Sequence, residues 1–116
     1  VSDILFLLKA DFVDAKVGAG LFYCPSCATL AGVLSYFPQL KTQLHVIDVD
    51  FPRPRLAVAE LLGQQHPGCP VLVVAQPDSV PGVTVKYAST GRAYIDGAAD
   101  ISNYLALKYG VAAPHP

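Results

Sequence analysis

The sequence has neither tryptophan nor methionine, only three cysteines, and few charged side chains for its 116 residues. No apolar run approaches the roughly 18 residues of a membrane span, which sets aside a transmembrane protein. The 8 Lys and Arg nearly balance the 9 Asp and Glu, and no lysine-rich stripe stands out. That leaves no electrostatic footprint for nucleic acid or an anionic membrane, so neither is expected as a partner. Three cysteines are too few, and too odd a number, for a disulfide framework. A Cys-x-x-Cys pair in such a chain reads as redox or metal chemistry in a reducing compartment, and a cytoplasmic location is expected. The chain begins at Val1 and lacks methionine, so the native start is expected upstream, which leaves a removed targeting segment open. What is present is 53% hydrophobic, without low-complexity tracts. One domain over residues 1–116 is expected, with 110–116 as a tail.

The chain is organised around Tyr23-Cys24-Pro25-Ser26-Cys27. With Cys24 as N-cap, Pro25 falls at the first helical position, where its missing N–H costs nothing and its φ is already helical. Unpaired N–H groups and the helix macrodipole favour a thiolate at such a position. Cys27 lies one turn further on, facing the core. The pair can open and close a disulfide, with Cys24 as attacking and Cys27 as resolving sulfur.

Ile4 to Leu8 reads as a strand buried on both faces. A mixed stretch from Asp11 to Gly20 then leads to Cys24. Cys27, Leu30, Ala31, Leu34 and Phe37 form a helical stripe, which Pro38 ends. Leu44 to Val49 is the second strand. The loop from Asp50 to Arg55 follows, with Pro54 placed to open a helix that carries Val58, Leu61 and Leu62 and breaks at Gly63 to Gly68. Pro70 leads into the apolar strand Val71 to Val74. After a loop from Gln76 to Gly82, two segments compete to be the antiparallel partner of that strand: Val83 to Tyr87, favoured on length, and Arg92 to Ile95. The last helix carries Ile101, Tyr104, Leu105 and Lys108 on one stripe, has Asp100 in its first turn and stops at Gly110. The order is β-α-β-α-β-β-α: a mixed α/β sheet with helices on both faces, parallel crossovers between the first strands and a closing hairpin. Ligands of such sheets gather at the strand carboxyl ends, where the turn into the first helix carries Cys24.

That order, with Cys24-Pro25-Ser26-Cys27 opening the first helix and Cys69-Pro70-Val71-Leu72-Val73 opening the third strand, resembles the thioredoxin-like superfamily over nearly the whole chain. The motif looks more like the Cys-Pro-aromatic-Cys of glutaredoxins than the Trp-Cys-Gly-Pro-Cys of thioredoxins. Asp96-Gly97-Ala98-Ala99-Asp100-Ile101 partly follows the glutaredoxin Gly-Gly-x-Asp-Asp-Leu pattern, at Gly97 and Asp100. Ile101 to Gly110 is similar to the helix that closes glutathione-transferase N-terminal domains. The whole chain further resembles a small bacterial thioredoxin-like family without an assigned function.

The resemblance implies a thioredoxin-like fold and a glutaredoxin-like thiol–disulfide oxidoreductase that acts on a protein or low-molecular-weight disulfide and needs no cofactor. It implies a cis Pro70 facing the dithiol, with the Cys69 backbone holding an extended substrate and Tyr23, Pro25 and Ser26 bordering the site. Glutathione is a possible co-substrate, its ammonium group received by Asp100. Gly97 and Ala98 replace the Glu-Ser pair with which transferases hold glutathione, and a transferase's all-helical second domain is absent, so transferase activity is not expected. Ala99 replaces the first Asp of the glutaredoxin pattern, and Ser26 stands where an aromatic often sits.

Two further readings use the same residues. One is a metal or iron–sulfur module built from Cys24, Cys27 and Cys69, with His66 as the histidine nearest in sequence. The other is a non-catalytic binding protein on the same scaffold. Cys69 itself reads equally as a small core hydrophobe and as a thiol facing the dithiol. Arg53 and Arg55 can receive an anion, but are expected to be solvated. Lys9 is expected to be exposed at the end of the first strand.

Overall fold

A computed structural model describes residues 2–80 and 82–116; Val1, and Pro81 within the Gln76–Gly82 loop, lie outside the described residues. The strands are β1 (Ile4–Leu8), β2 (His45–Val49), β3 (Val71–Val74), β4 (Lys86–Tyr87) and β5 (Ala93–Asp96). The helices are α1 (Pro25–Tyr36), α2 (Leu40–Gln43), α3 (Leu56–Leu62) and α4 (Ala98–Tyr109), with a 3-10 turn at Pro77–Ser79. The strands form one mixed sheet in the order β2-β1-β3-β5-β4.

β3 is apolar and buried at every position, as befits an inner strand whose two faces are both covered. β2 lies at an edge, which explains why His45 and Asp48 within it reach solvent. Side chains alternate across the sheet, so the strands feed two cores. Leu5, Leu7, Leu72, Val74, Ala93 and Ile95 pack with Leu30 and Leu34 of α1 and Ile101, Tyr104 and Leu105 of α4. Phe6, Val71 and Val73 pack on the opposite face with Val58 and Leu62 of α3. Helices therefore cover both faces, as expected.

Four expectations need correction. The antiparallel partner of β3 is β5, with Leu72 opposite Ile95, and not the favoured segment Val83 to Tyr87, of which only Lys86–Tyr87 is strand, at the sheet edge. Period-2 burial decides the choice, since Ala93 and Ile95 turn inward whereas Lys86 and Tyr87 are exposed. A tight turn joins the two, with Gly91 at φ 87°. Second, only β1 and β2 are parallel; β3 runs antiparallel to β1, so the link through α3 is not a parallel crossover. Third, Pro54 does not open a helix: α3 starts at Leu56 with Arg55 as N-cap. Fourth, Ala31 is exposed and leaves the buried stripe of α1 to Cys27, Leu30 and Leu34. The Arg53–Pro54 and Cys69–Pro70 peptide bonds are cis.

The sheet is tied to its closing helix by a residue that sequence reasoning passed over. Asp3 is fully buried. Its Oδ1 accepts the Ala75 N–H at 2.8 Å, and its Oδ2 accepts the Tyr104 hydroxyl at 2.6 Å, the Tyr109 hydroxyl at 2.7 Å and Lys108 Nζ at 2.9 Å. A buried carboxylate persists only when its lone pairs are met in this way. The signal was a lone acid directly ahead of an apolar strand.

Candidate functional site: a dithiol at a helix N-terminus

Cys24 is the N-cap of α1: its backbone is extended, Pro25 follows in the first turn, and its Sγ accepts the Cys27 N–H at 3.2 Å. A thiol here does the work of the Ser or Asp side chain that usually satisfies a free N–H at a helix start. Cys24 is half-buried, Pro25 and Ser26 are exposed, and Tyr23 is 63% exposed beside them. Cys27 is buried on the core side and its Sγ accepts the Leu8 N–H from the end of β1 at 3.4 Å. Burial first, and then the neighbouring Cys24, pushes the Cys27 thiol up to about 12, against the opposing effect of the Leu8 N–H. The two sulfurs thus meet different surroundings: one is within reach of solvent, the other held protonated in the core.

An open hollow of about 490 Å³ lies against the pair. Leu7, Leu8 and Ala28 give it apolar walls, Tyr23, Cys24 and Cys27 line one side, and Lys9 and Asp48 add charge. Lys9 is exposed, as expected, and pairs with Asp50 at 3.2 Å.

Cys69 and Pro70 come to the same place from the start of β3. The Cys24 thiol donates to the Cys69 carbonyl at 3.8 Å, and Pro70 is buried. The Cys69 thiol is raised by burial, an effect opposed by the guanidinium of Arg55 and, further off, that of Arg53. Against expectation Arg55 is not solvated: it is 8% exposed, with Nε and Nη2 donating to the Phe51 carbonyl at 2.9 and 2.8 Å. Phe51 stacks on Phe12 with ring centres 4.3 Å apart, and Phe12 bridges to Phe22, one residue ahead of Tyr23. The Asp11–Gly20 stretch is therefore anchored at its base beside the dithiol. Aromatic residues on both segments were the available signal for this.

Asp100 stands in the first turn of α4 and is exposed; it lines a separate hollow with Thr84, Asn103 and Leu107, not the one beside Cys24. Among the described residues no three His, Cys, Asp or Glu side chains are grouped so as to hold a metal ion, which corrects the metal and iron–sulfur reading of Cys24, Cys27 and Cys69. His66 is buried, its Nδ1 lies 2.8 Å from the Pro67 carbonyl, and Arg53 Nη1 packs on its ring, so it does not serve the thiols as a ligand. Among the described residues no helix is long and apolar enough to cross a membrane.

Fold and site together define a mixed α/β protein that presents a Cys-x-x-Cys pair at the N-terminus of its first helix, an arrangement suited to a redox-active dithiol. The chain belongs to the family described as a protein of unknown function (DUF3088), whose model matches residues 2–113. No curated protein and no solved structure matches it.

Proposed function

We propose that this protein is a thiol–disulfide oxidoreductase of glutaredoxin-like type on a thioredoxin-like scaffold. The observation that carries the reading is the Cys24 sulfur seated as N-cap, accepting the Cys27 N–H at 3.2 Å, with Cys27 buried behind it. The sheet order, with its parallel β2–β1 pair followed by antiparallel β3, supports the scaffold. Cys24 attacks a substrate disulfide and forms a mixed disulfide, and Cys27 attacks Cys24 Sγ to release the reduced substrate thiol. The attacking sulfur faces the free N–H groups of the helix start, of which the Cys27 N–H is one. The peptide groups around Cys69 and Pro70 hold the substrate in extended form, while Tyr23, Pro25 and Ser26 form the rim it crosses. The substrate is a protein or low-molecular-weight disulfide, the reductant a thiol such as glutathione in a reducing, cytoplasmic setting. A glutathione ammonium group meeting Asp100 has no support in the hollow that Asp100 lines.

The test is a redox titration of the purified protein in glutathione buffers, with the thiols of Cys24 and Cys27 followed by mass spectrometry. The expected result is a reversible two-electron transition between about −120 and −270 mV, the span of dithiol catalysts. Loss of the transition in both Cys24→Ser and Cys27→Ser variants is part of that expectation. No transition in the window overturns the reading and leaves a binding protein whose cysteines do not turn over.

A further inference from the structure

The sheet is open along the edge next to the dithiol. Among the described residues β2 has a single neighbour, β1, and pairs with it in unbroken register from Ile4 opposite His45 to Leu8 opposite Val49. The His45 N–H donates to the Asp3 carbonyl and the Val49 carbonyl accepts the Lys9 N–H, so both residues direct these groups to the β1 side. Backbone groups alternate along a strand, and the N–H and C=O of Val46 and Asp48 therefore face outward. Native edge strands are commonly kept short or blunted with lysine or proline. β4, at the opposite edge, follows that rule with two residues, one of them Lys86. β2 has five residues and neither lysine nor proline.

A hollow flanks this edge on each face of the sheet. Val46 packs with the α1 core, and on that face lies the hollow of about 490 Å³ lined by Cys24. Ile47 and Val49 pack with the α3 core, and on their face a hollow of about 320 Å³ lies between β2 and Pro54, Leu56 and Ala57. Asp48 and Lys9 border both. Each hollow has an apolar side chain left over from the cores: Ala31 is exposed beside the first, and Leu56 is 70% exposed beside the second.

We infer that β2 takes up an extended polypeptide segment of the substrate as an added strand, with the segment's cysteine directed into the hollow at Cys24. The inference rests on the exchange function proposed above and narrows its substrate to a disulfide carried by a polypeptide with apolar side chains beside the cysteine. Outward N–H and C=O groups are matched by another backbone, and the side chains of an added strand alternate between the same two faces. The residues next to the cysteine then enter the hollow beside Leu56. Glutathione, a tripeptide with charged ends and no apolar side chain, fills neither the edge nor that second hollow. A second copy of this chain, whose cysteines are free thiols, brings no disulfide to Cys24. Cys69 and Pro70 enter β3, on the far side of β1 from β2, so the two segments that a disulfide joins each have a place. The chemistry is unchanged: Cys24 attacks the segment's sulfur, the bond between them forms, and the other half of the disulfide leaves as a thiolate. Cys27 then attacks Cys24 Sγ and the segment leaves as a thiolate. Two protein thiols are oxidised and one disulfide is reduced.

The test uses the full chain and a short peptide of valine and threonine around one cysteine, with a lysine at each end, joined by a disulfide to glutathione. A second peptide has two successive prolines beside the cysteine and so lacks N–H groups on both edges. Reduction of the first peptide by the reduced protein is expected to be roughly tenfold faster than that of the second, the worth of one or two peptide hydrogen bonds. Equal rates overturn the strand addition. In Cys27→Ser, which retains the adduct on Cys24, NMR amide exchange is then compared between protein carrying the first peptide and protein carrying glutathione. Cys27→Ala is a second background in case serine is not tolerated at this buried position. The Val46 and Asp48 amides are expected to exchange about tenfold more slowly under the peptide. Unchanged exchange at both overturns the proposed edge and leaves the exchange function standing. A dimer in sedimentation whose Val46 and Asp48 amides are already protected without peptide also overturns it, because a second copy then holds the edge. Failure of Cys24 to form an adduct with either disulfide overturns both readings.

Discussion

Two cysteines three residues apart carry opposite chemistry because one caps a helix at the surface and the other faces the core. Cys24 is half-buried, Cys27 is 4% exposed, and burial holds the Cys27 thiol protonated up to about 12. Since the thiolate is the species that reacts, brief alkylation with iodoacetamide at pH 8 should label Cys24 well before Cys27. Cys27 should become reactive only after unfolding or at strongly alkaline pH, and peptide mapping of the quenched reaction reads the order directly. Labelling of Cys27 ahead of Cys24 would contradict the burial assignment. This division was legible in the sequence, because an N-cap followed by Pro25 leaves few places for Cys24 and Cys27 to go. Arg55 was not legible: a guanidinium flanked by prolines resembles a solvated loop residue, and only the tertiary approach of Phe51 and Cys69 shows that it is buried.

At the scale of elements, the apolar strands formed where their runs lie, while the expectations that failed were the place of Ala31 in the α1 stripe, the start of α3, the direction of β3 and the choice between two short strands. Val83 to Tyr87 outranked Arg92 to Ile95 on β-branched length, yet inward alternation at Ala93 and Ile95 gave the inner place to β5. Register is set by which face can be buried, so two well-placed side chains outweigh a longer run. The junction of α3 with this hairpin yields a paired prediction. Gly63 ends α3 at φ 88°, and a Cβ there would sit 3.1 Å from Ser89 Oγ, next to Thr90, whose hydroxyl donates to the Leu61 carbonyl at 2.6 Å. Gly63→Ala should therefore destabilise the protein by about 1–2 kcal/mol. Gly32, inside α1, is exposed and has open space around its Cβ direction. Gly32→Ala should stabilise by about 0.5–1 kcal/mol, since alanine has less backbone freedom to lose in a helix. Urea denaturation of both variants checks the signs, and shifts of the same sign would contradict the local geometry at one of them.

Over the whole molecule, Asp3 joins the start of the chain to its last helix and to the end of β3. Removing one partner from a buried charged cluster strands the others, so Asp3→Asn should lower stability by on the order of 2–3 kcal/mol. The same cluster sets a pH window. Burial raises the Asp3 carboxyl, but the bonds from Ala75, Tyr104, Lys108 and Tyr109 outweigh this and hold it below the usual carboxylate range. Its contribution is therefore present above the unfolded value of about 3.9 and is lost as pH falls through the lower folded value. Burial and then the Asp3 carboxylate raise Tyr104 and Tyr109, and burial followed by Cys24 raises Cys27. These three contribute fully below their unfolded values, about 8.5 for cysteine and about 10 for tyrosine, and their contribution is lost as pH rises towards the raised folded values. Stability from these groups should thus be level between about pH 4 and 8.5 and fall on either side. Thermal unfolding of the wild type and Asp3→Asn from pH 2 to 11 tests the account. The variant should lose the acid-side fall due to Asp3 and show a shallower alkaline limb, because its tyrosines no longer face a carboxylate. An acid limb of the same steepness in both proteins would mean that acid unfolding is governed by other carboxylates and that Asp3 is not the group linking the chain's two ends to pH.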